Sequence, residues 1–226
     1  MPGFNPVKDT LFDEIDARYD FLNHLLSLYM DVHWRRVMVR ELLPLKGPLV
    51  LDLATGTGDS ASGLLKEGLR VVGLDISFNM LLRAKDKIRS PYYNIITGSG
   101  YTLPFKDRTF DGLTCAFGIR NMHRTPEALK ETYRVLRKGG KAVFLEFAMP
   151  RGFIKGPYMF YLKKILPNMA ALFSNKDAYV YLGDSIEAFH RPDEFRRLMT
   201  EAGFVSSESR PLCIGNVYVH KGWTAE

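Results

Sequence analysis

Residues 49–59, LVLDLATGTGD, and residues 70–75, RVVGLD, decide the fold between them. The first run is short and apolar, ends in two closely spaced glycines, and gives way to helix-forming sequence up to Lys66. The second is again apolar and ends in a carboxylate. This is the pattern of strand, tight loop, helix and parallel strand. Working outward, Ser77 is placed to cap a helix with Met80, Leu81, Ala84 and Ile88 on one face. YYNIIT (92–97) and FDGLTCAFG (110–118) read as strands three and four. Thr125-Pro126 offers a cap and a first-turn proline to a helix with Ala128, Leu129, Thr132, Val135 and Leu136 inward. That helix is expected to stop at Gly139-Gly140, before a fifth strand, KAVFLEF (141–147). Nearly all-apolar strands alternating with helices predict an α/β, doubly wound, Rossmann-like sheet, mostly parallel and covered on both faces.

The ends of the chain read differently. Residues 8–43 are helical, with Phe12, Ile15, Tyr19, Leu22, Leu25 and Leu26 at three- and four-residue spacing, until Pro44, Gly47 and Pro48 end the region. After 190, a helix with Phe195, Leu198, Met199 and Ala202 is closed by Gly203. FVSSES and LCIGNVYVHKGW follow, with a short turn expected around Arg210-Pro211, which makes the last strand antiparallel. At 226 residues the expectation is one domain: an N-terminal helical cap (1–48), a ligand-binding core (49–150), and a segment with a lid and the last strands (151–226).

Composition narrows the classes. Lys and Arg number 31 against 25 Asp and Glu, a formal +6, yet the two signs are interspersed and no long basic run exists. Two cysteines, Cys115 and Cys213, make no disulfide framework and point to a reducing, cytoplasmic setting. The first twenty residues lack a signal-peptide pattern, and no window of about 18 apolar residues suggests a membrane span. Five scattered histidines, without a cysteine pair or His-x-x-x-His, give no metal site.

The chemistry concentrates in the glycine loop. Gly56 and Gly58 let backbone approach a ligand without an intervening side chain. Asp75 follows Gly56 by 19 positions, where the end of strand two reaches the first loop and a carboxylate can accept from a ribose diol. Gly56, Gly58 and Ala61 also satisfy G-x-G-x-x-A, so a dinucleotide oxidoreductase stays open at this point. Asp52, directly before the loop, argues the other way: a carboxylate aimed at the site repels a pyrophosphate and suits a sulfonium and an ammonium group. The competing reading has Asp52 bonded to the loop itself.

On these residues, VLDLATGTGD with GLDIS resembles the S-adenosylmethionine site of class I methyltransferases. FDEIDARYDFLNHLLS with Trp34-Arg35-Arg36, LPFKDRTFD, AFGIRN, ALKETYRVLRKGG, LEF, YLGDSIEAF, AGF and CIGNVYVHKG appear in order. Together they resemble the ubiquinone/menaquinone biosynthesis C-methyltransferases (UbiE/MenG type) over most of the chain. The resemblance implies S-adenosyl-L-methionine as cofactor, held by Asp52, Thr55, Gly56, Thr57, Gly58, Asp75, Ile76, Ser99, Gly100 and Ala116. It implies Arg120 and Asn121, with Tyr19, as the residues acting on a polyprenylated quinol. The chain departs from the pattern at the adenine, with Ser99 for an acidic residue and Tyr101 for Glu. It also has Lys138 for a proline, Tyr29 for a glycine, and Asp31 where His is frequent.

Methylation of an aromatic carbon requires the ring about 3 Å from a sulfonium methyl and the neighbouring hydroxyl deprotonated. A guanidinium stays charged and is a poor base, so Arg120 is expected to stabilise the phenolate while Asn121 orients the ring or a water. Phe117, Met122 and Tyr19 are candidates for the pocket wall. YMFYLKKILPNMAALF (158–173), interrupted by Pro167, is expected to pack as a lid, with peripheral membrane contact as the alternative. Nucleic acid is not expected as a partner, because the Asn/Asp-Pro-Pro-aromatic motif of base-amine methylators is absent and no Pro-Pro occurs in the chain. Association of identical subunits is left open. The rivals are a methyltransferase acting on another small acceptor, an NAD(P)-linked oxidoreductase and a non-catalytic nucleoside-binding protein.

Overall fold

The computed structural model describes residue 27 and residues 29–170 and 176–226. Tyr19 and the helical stripe from Phe12 to Leu26 lie outside the described residues. The elements are α1 (Met30–Leu42), β1 (Leu49–Leu53), α2 (Asp59–Lys66), β2 (Arg70–Asp75), α3 (Phe78–Lys87), β3 (Tyr93–Thr97), β4 (Phe110–Ala116), α4 (Thr125–Val135) and β5 (Leu136–Phe147). After these come α5 (Lys155–Phe160), α6 (Leu166–Ala170), α7 (Lys176–Ala188), α8 (Pro192–Glu201), β6 (Ser206–Leu212) and β7 (Val217–Trp223).

The seven strands form one sheet in the order β3-β2-β1-β4-β5-β7-β6. β1 pairs in parallel with β2 and β4, β2 with β3, and β4 with β5, while β7 runs antiparallel to both β5 and β6. The chain reverses its build direction between β3 and β4, so the ends of β1 and β4 open a crevice at the centre of the sheet. β4 is buried along its whole length, as a central strand covered on both faces must be. One core layer joins Leu51, Leu53, Leu113, Leu129, Phe144 and Phe195. The other joins Trp34, Met38, Leu42, Val50, Leu64 and Val143, so that α1 and α2 cover that face.

The capping signals hold in part. Ser77 caps α3 as expected, its Oγ accepting from the Met80 amide at 3.3 Å. Thr125 does not cap α4: it is the first helical residue, and its hydroxyl donates to the Met122 carbonyl at 2.9 Å. α4 ends at Val135, before Gly139-Gly140, and strand pairing starts at once with Phe110 opposite Leu136. Pairing then jumps to Gly112 opposite Lys141. The glycines sit in this irregularity, with Gly139 at φ +68°, and are not a helix stop. The Arg137 guanidinium from the same stretch reaches the buried Asp111 at 2.7 Å.

The last turn also falls elsewhere than expected. Arg210-Pro211 lies inside β6, and the reversal occurs after Leu212, with Cys213 at φ +51° and Gly215 at φ +83°. Pro211 is tolerated because β6 is the sheet edge, where a missing N–H can face solvent.

α1 is fastened to the far side of the sheet by charge. The Lys141 ammonium donates to the Glu41 and Leu43 carbonyls, and the Glu41 carboxylate takes Arg210 and Lys221. In the segment read as a lid, Leu162 and Leu166 are buried together with Ile186, and Phe147, Met149, Tyr158, Tyr161 and Leu182 pack against them; residues 171–173 of that segment lie outside the described residues. Between α5 and α6 the helix widens into a π turn over Tyr161–Ile165. That turn lets the chain pass Pro167 without a break, and Asn168 Nδ2 caps the Lys164 carbonyl at 2.8 Å. Among the described residues no helix is long and apolar enough to cross a membrane, and no cluster of His, Cys, Asp and Glu could hold a metal ion.

Candidate active site

A cleft of about 480 Å³ opens at the carboxyl ends of the parallel strands. It is lined by Thr55, Gly56, Thr57, Asp75, Ile76, Ser99, Gly100, Ala116, Arg120 and Asn121, which brings together ten of the residues singled out from the sequence. The loop after β1 is fixed before any ligand arrives. The Thr55 amide donates to the Leu74 carbonyl at 3.1 Å, and the Asp75 carboxylate accepts the Gly56 amide at 2.8 Å and the Ser77 amide at 3.0 Å. Asp75 thus ties the ends of β1 and β2 together while still facing the cleft. Gly56 has φ +55°, and a Cβ built there would meet no atom within 4 Å, so the space above it is left for a ligand. These residues fit a nucleoside whose ribose rests on Asp75 and whose thioether end crosses the glycine loop.

Asp52 and Gly58 are not among the residues lining the cleft. Asp52, only 1% exposed, accepts from the hydroxyls of Thr55 at 2.6 Å and Thr114 at 2.7 Å. The expectation that it faces the ligand's cationic end is therefore corrected: it braces the loop from beneath. Burial pushes its carboxyl above the usual range, with the two hydroxyls opposing that rise. Gly58, at φ +84°, starts α2, and a Cβ there would come within 2.6 Å of Ile88. Its role is packing between loop and α3.

Two non-glycine residues on the cleft walls sit in the left-handed region, Ala54 at φ +54° and Phe117 at φ +59°. Each follows the end of a central strand, where strain gathers in functional loops. The loops touch directly, since a Cβ at Gly118 would come within 2.5 Å of the Ala54 Cβ. Phe117 stacks on Phe147 with ring centroids 4.6 Å apart. The Arg35 guanidinium lies 5.3 Å from the Phe117 ring, and that of Arg120 lies 5.7 Å from the Phe147 ring.

Arg120 is held by a fully buried carboxylate. Its Nη1 lies 2.9 Å from Glu146 Oε1 and also donates to the Phe117 carbonyl; its backbone amide reaches Glu146 Oε2 at 3.2 Å, and Nε reaches Ser185 Oγ at 3.3 Å. The Phe147 amide supplies a further donor to Glu146 at 2.9 Å. The arginine is therefore neither a surface ion pair nor a mobile side chain. Asn121 Oδ1 accepts the Tyr181 hydroxyl at 3.1 Å, which turns its NH₂ toward other acceptors. Burial pushes the Tyr181 phenol up, and that of Tyr158 up to about 12, so both stay protonated donors.

Several lining residues were not assigned to the site from the sequence. Tyr158, Tyr161 and Tyr181 come from the lid, His123 from the loop before α4, and Asp31 and Arg35 from α1. Glu146 could have been found as the one charge within VFLEF, a stretch otherwise apolar. Arg35 and the tyrosines left no such mark, because only the chain path brings α1 and the lid over the strand ends.

The fold defines a class. The chain superposes on an S-adenosylmethionine-dependent methyltransferase of Thermotoga maritima with a TM-score of 0.63 at 20% identity, covering 92% of this chain and 98% of that one. A Haemonchus contortus phosphoethanolamine N-methyltransferase, solved with phosphomonomethylethanolamine and S-adenosylhomocysteine, gives a TM-score of 0.67 at 15% identity, over 86% of this chain and 53% of that one. The architecture is that of the class I methyltransferases. Residues 5–224 match the ubiE/COQ5 methyltransferase family, and the chain belongs to that family. It is 41% identical over 220 residues to the ubiquinone/menaquinone biosynthesis C-methyltransferase UbiE of Geobacter sulfurreducens, covering 94% of this chain and 86% of that protein. It is 39% identical over 209 residues to the demethylmenaquinone methyltransferase of Chlorobaculum tepidum, covering 89% and 86%.

Proposed function

We propose that the protein uses S-adenosylmethionine to methylate a ring carbon of a polyprenylated quinol. The observation that carries this reading is the continuity of the cleft. It runs from Asp75 and the glycine loop to Arg120, Asn121 and the apolar lid residues Leu162, Leu166, Leu182 and Ile186. S-adenosylmethionine supplies an electrophilic methyl on a sulfonium. Asp75, Gly56 and Thr57 are the residues that would hold it, with Ser99 and Gly100 toward the adenine.

The remaining chemistry belongs to the side chains. A guanidinium is a poor proton acceptor, so the part of Arg120 is to stabilise the phenolate rather than to take the proton. Glu146 fixes the guanidinium in place. Asn121, oriented by Tyr181, has an amide donor for a quinol oxygen. Phe117, Phe147, Met122 and the lid leucines exclude water, which strengthens these interactions. A purified-enzyme assay with a reduced, demethylated menaquinol in detergent tests the reading. The product should gain one ring methyl, and Arg120→Ala should lose about 10²–10³-fold in kcat. Affinity for S-adenosylhomocysteine should stay within about twofold. Near-normal turnover in that variant contradicts the assignment.

A lipid-borne acceptor needs access from a membrane, and we place that contact on the outer face of the lid. Phe153 is 90% exposed and Phe160 61%, with Lys155 and Lys164 beside them. Exposed aromatics rimmed by lysines suit an anionic lipid surface. Flotation with anionic vesicles should carry the protein, and Phe153→Asp with Phe160→Asp should abolish it. Equal flotation of both forms would exclude this face.

A further inference from the structure

We infer that Tyr158, from the lid helix α5, donates a hydrogen bond to the second oxygen of the acceptor ring, across from the oxygen that ionises, and so selects a quinol over a simple phenol. This deepens the proposed function and rests on the reading that the cleft takes a quinol. Tyr158 lines the cleft together with Arg120, Asn121 and Asn216. It packs on the cluster of Leu162, Leu166 and Ile186 beside Phe147, whose ring also carries the Arg120 guanidinium. Its hydroxyl accepts from the Asn216 side-chain amide and lies within electrostatic reach of Arg120. With that lone pair engaged, and no acceptor for its proton among the described residues, the phenol has a hydrogen to give to a ligand. Asn216 puts its amide to no other use. Its Oδ1 is buried without a donor, and its backbone carbonyl accepts the Ala148 amide at 3.0 Å, which fastens the turn before β7 to the end of β5. An orphaned buried oxygen costs stability, and here that cost accompanies an NH₂ group held on Tyr158. Asn216 is therefore a positioning residue that acts through the tyrosine. Burial raises the Tyr158 phenol to about 12, so it stays a neutral donor, which suits an oxygen that remains a hydroxyl. Arg120 and Asn121 follow β4, whereas Tyr158 comes from the lid, so the two sets of donors belong to different elements. A ring held at one oxygen can pivot, and a ring held at both presents a single carbon to the methyl group.

Methylation assays with two acceptors test this. One is a short-chain prenylated naphthoquinol. The other is the matching naphthol, which keeps the hydroxyl beside the methylated carbon and lacks the one across the ring. That far hydroxyl is meta to the reacting carbon, so its loss changes the nucleophilicity of the carbon little. The wild type should favour the quinol by about 10–100-fold in kcat/KM, the range for leaving a buried donor unpaired. Tyr158→Phe should lose about 10–100-fold on the quinol and nothing on the naphthol, which erases the preference. Asn216→Leu, which removes the amide that holds Tyr158, should lose part of the same preference. Unchanged affinity for S-adenosylhomocysteine reports that both variants are folded. Equal losses on the two acceptors, no loss on either, or a wild type indifferent to the far hydroxyl would overturn the assignment. If the wild type binds S-adenosylhomocysteine and methylates neither acceptor, the quinol reading itself fails and takes this assignment with it.

Discussion

At Arg120 the chain buries a charge beside its counter-charge, and the two cannot be separated cheaply. Glu146 has no exposed side-chain surface and Arg120 has 10%. Removing one member of such a pair strands the other, which costs about 3–5 kcal/mol. Glu146→Ala should therefore lose stability on that scale in urea unfolding and lose turnover as well. Glu146→Gln, which keeps the acceptor shape at one oxygen, should lose less of both. Asp52 makes the opposite kind of prediction. Its carboxyl is raised by burial, so it favours the fold while protonated and penalises it once ionised. The stability of the wild type relative to Asp52→Asn should fall as pH rises above 3.8, the ordinary value. Thermal melts of the two proteins at pH 4 and pH 8 measure this; a difference independent of pH would show that Asp52 is not perturbed. Asp75 was marked by its place at the end of β2, whereas Arg120 and Asn121 were named only through the family resemblance; all three line the cleft. The orientation of Asp52 was not legible, because nothing in DLATGTGD says that Thr55 and Thr114 fold back over it.

Among elements, the strands and helices of the core were readable because apolar periodicity and Ser77 act locally. The misplaced boundaries have one cause: glycine and proline were read as stops where tertiary structure uses them otherwise. Gly139-Gly140 serve a strand irregularity, and Pro211 sits on an edge that needs no donor. The entry to α1 shows the converse. Tyr29, at φ +59°, occupies a left-handed conformation at the position where the resembling family has glycine. A side chain there carries strain of about 1–2 kcal/mol, offset in part by the chain entropy that glycine would lose. Tyr29→Gly should raise stability by about 0.5–1 kcal/mol, or about 2–4 °C per kcal/mol in a chain of this size. An unchanged or lower melting temperature would indicate that the ring makes contacts that outweigh the strain. Gly118→Ala should have the reverse effect, costing about 1–3 kcal/mol, because its Cβ would collide with Ala54 in an already strained loop.

For the whole molecule, the sheet order followed from the alternation of strands and helices, but the enclosure of the cleft did not. α1 and the lid both line the cleft at the strand ends, and α1 is tied to the β6–β7 turn by a contact distant in sequence, Trp34 Nε1 to Cys213 Sγ at 3.2 Å. Global stability has an acid weakness at a buried histidine. His220 is buried beside Phe195 and Tyr218, and burial holds its pKa down to about 3 from 6.5. The unfolded chain therefore binds a proton that the folded one refuses. Stability is fully present above pH 6.5 and falls by about 1.4 kcal/mol per pH unit below it, toward pH 3. His220→Gln should flatten that slope in urea titrations between pH 6.5 and 4.5; an equal slope would place the weakness elsewhere. All of these effects serve one arrangement, in which sheet, α1 and lid hold a nucleoside against an acceptor. The most direct measurement is a crystal structure of the protein with S-adenosylhomocysteine. The ribose should rest on the Asp75 carboxylate and the sulfur beside Gly56 and Thr57. A nucleoside lodged outside this cleft, or seated in it away from Asp75, would contradict the account.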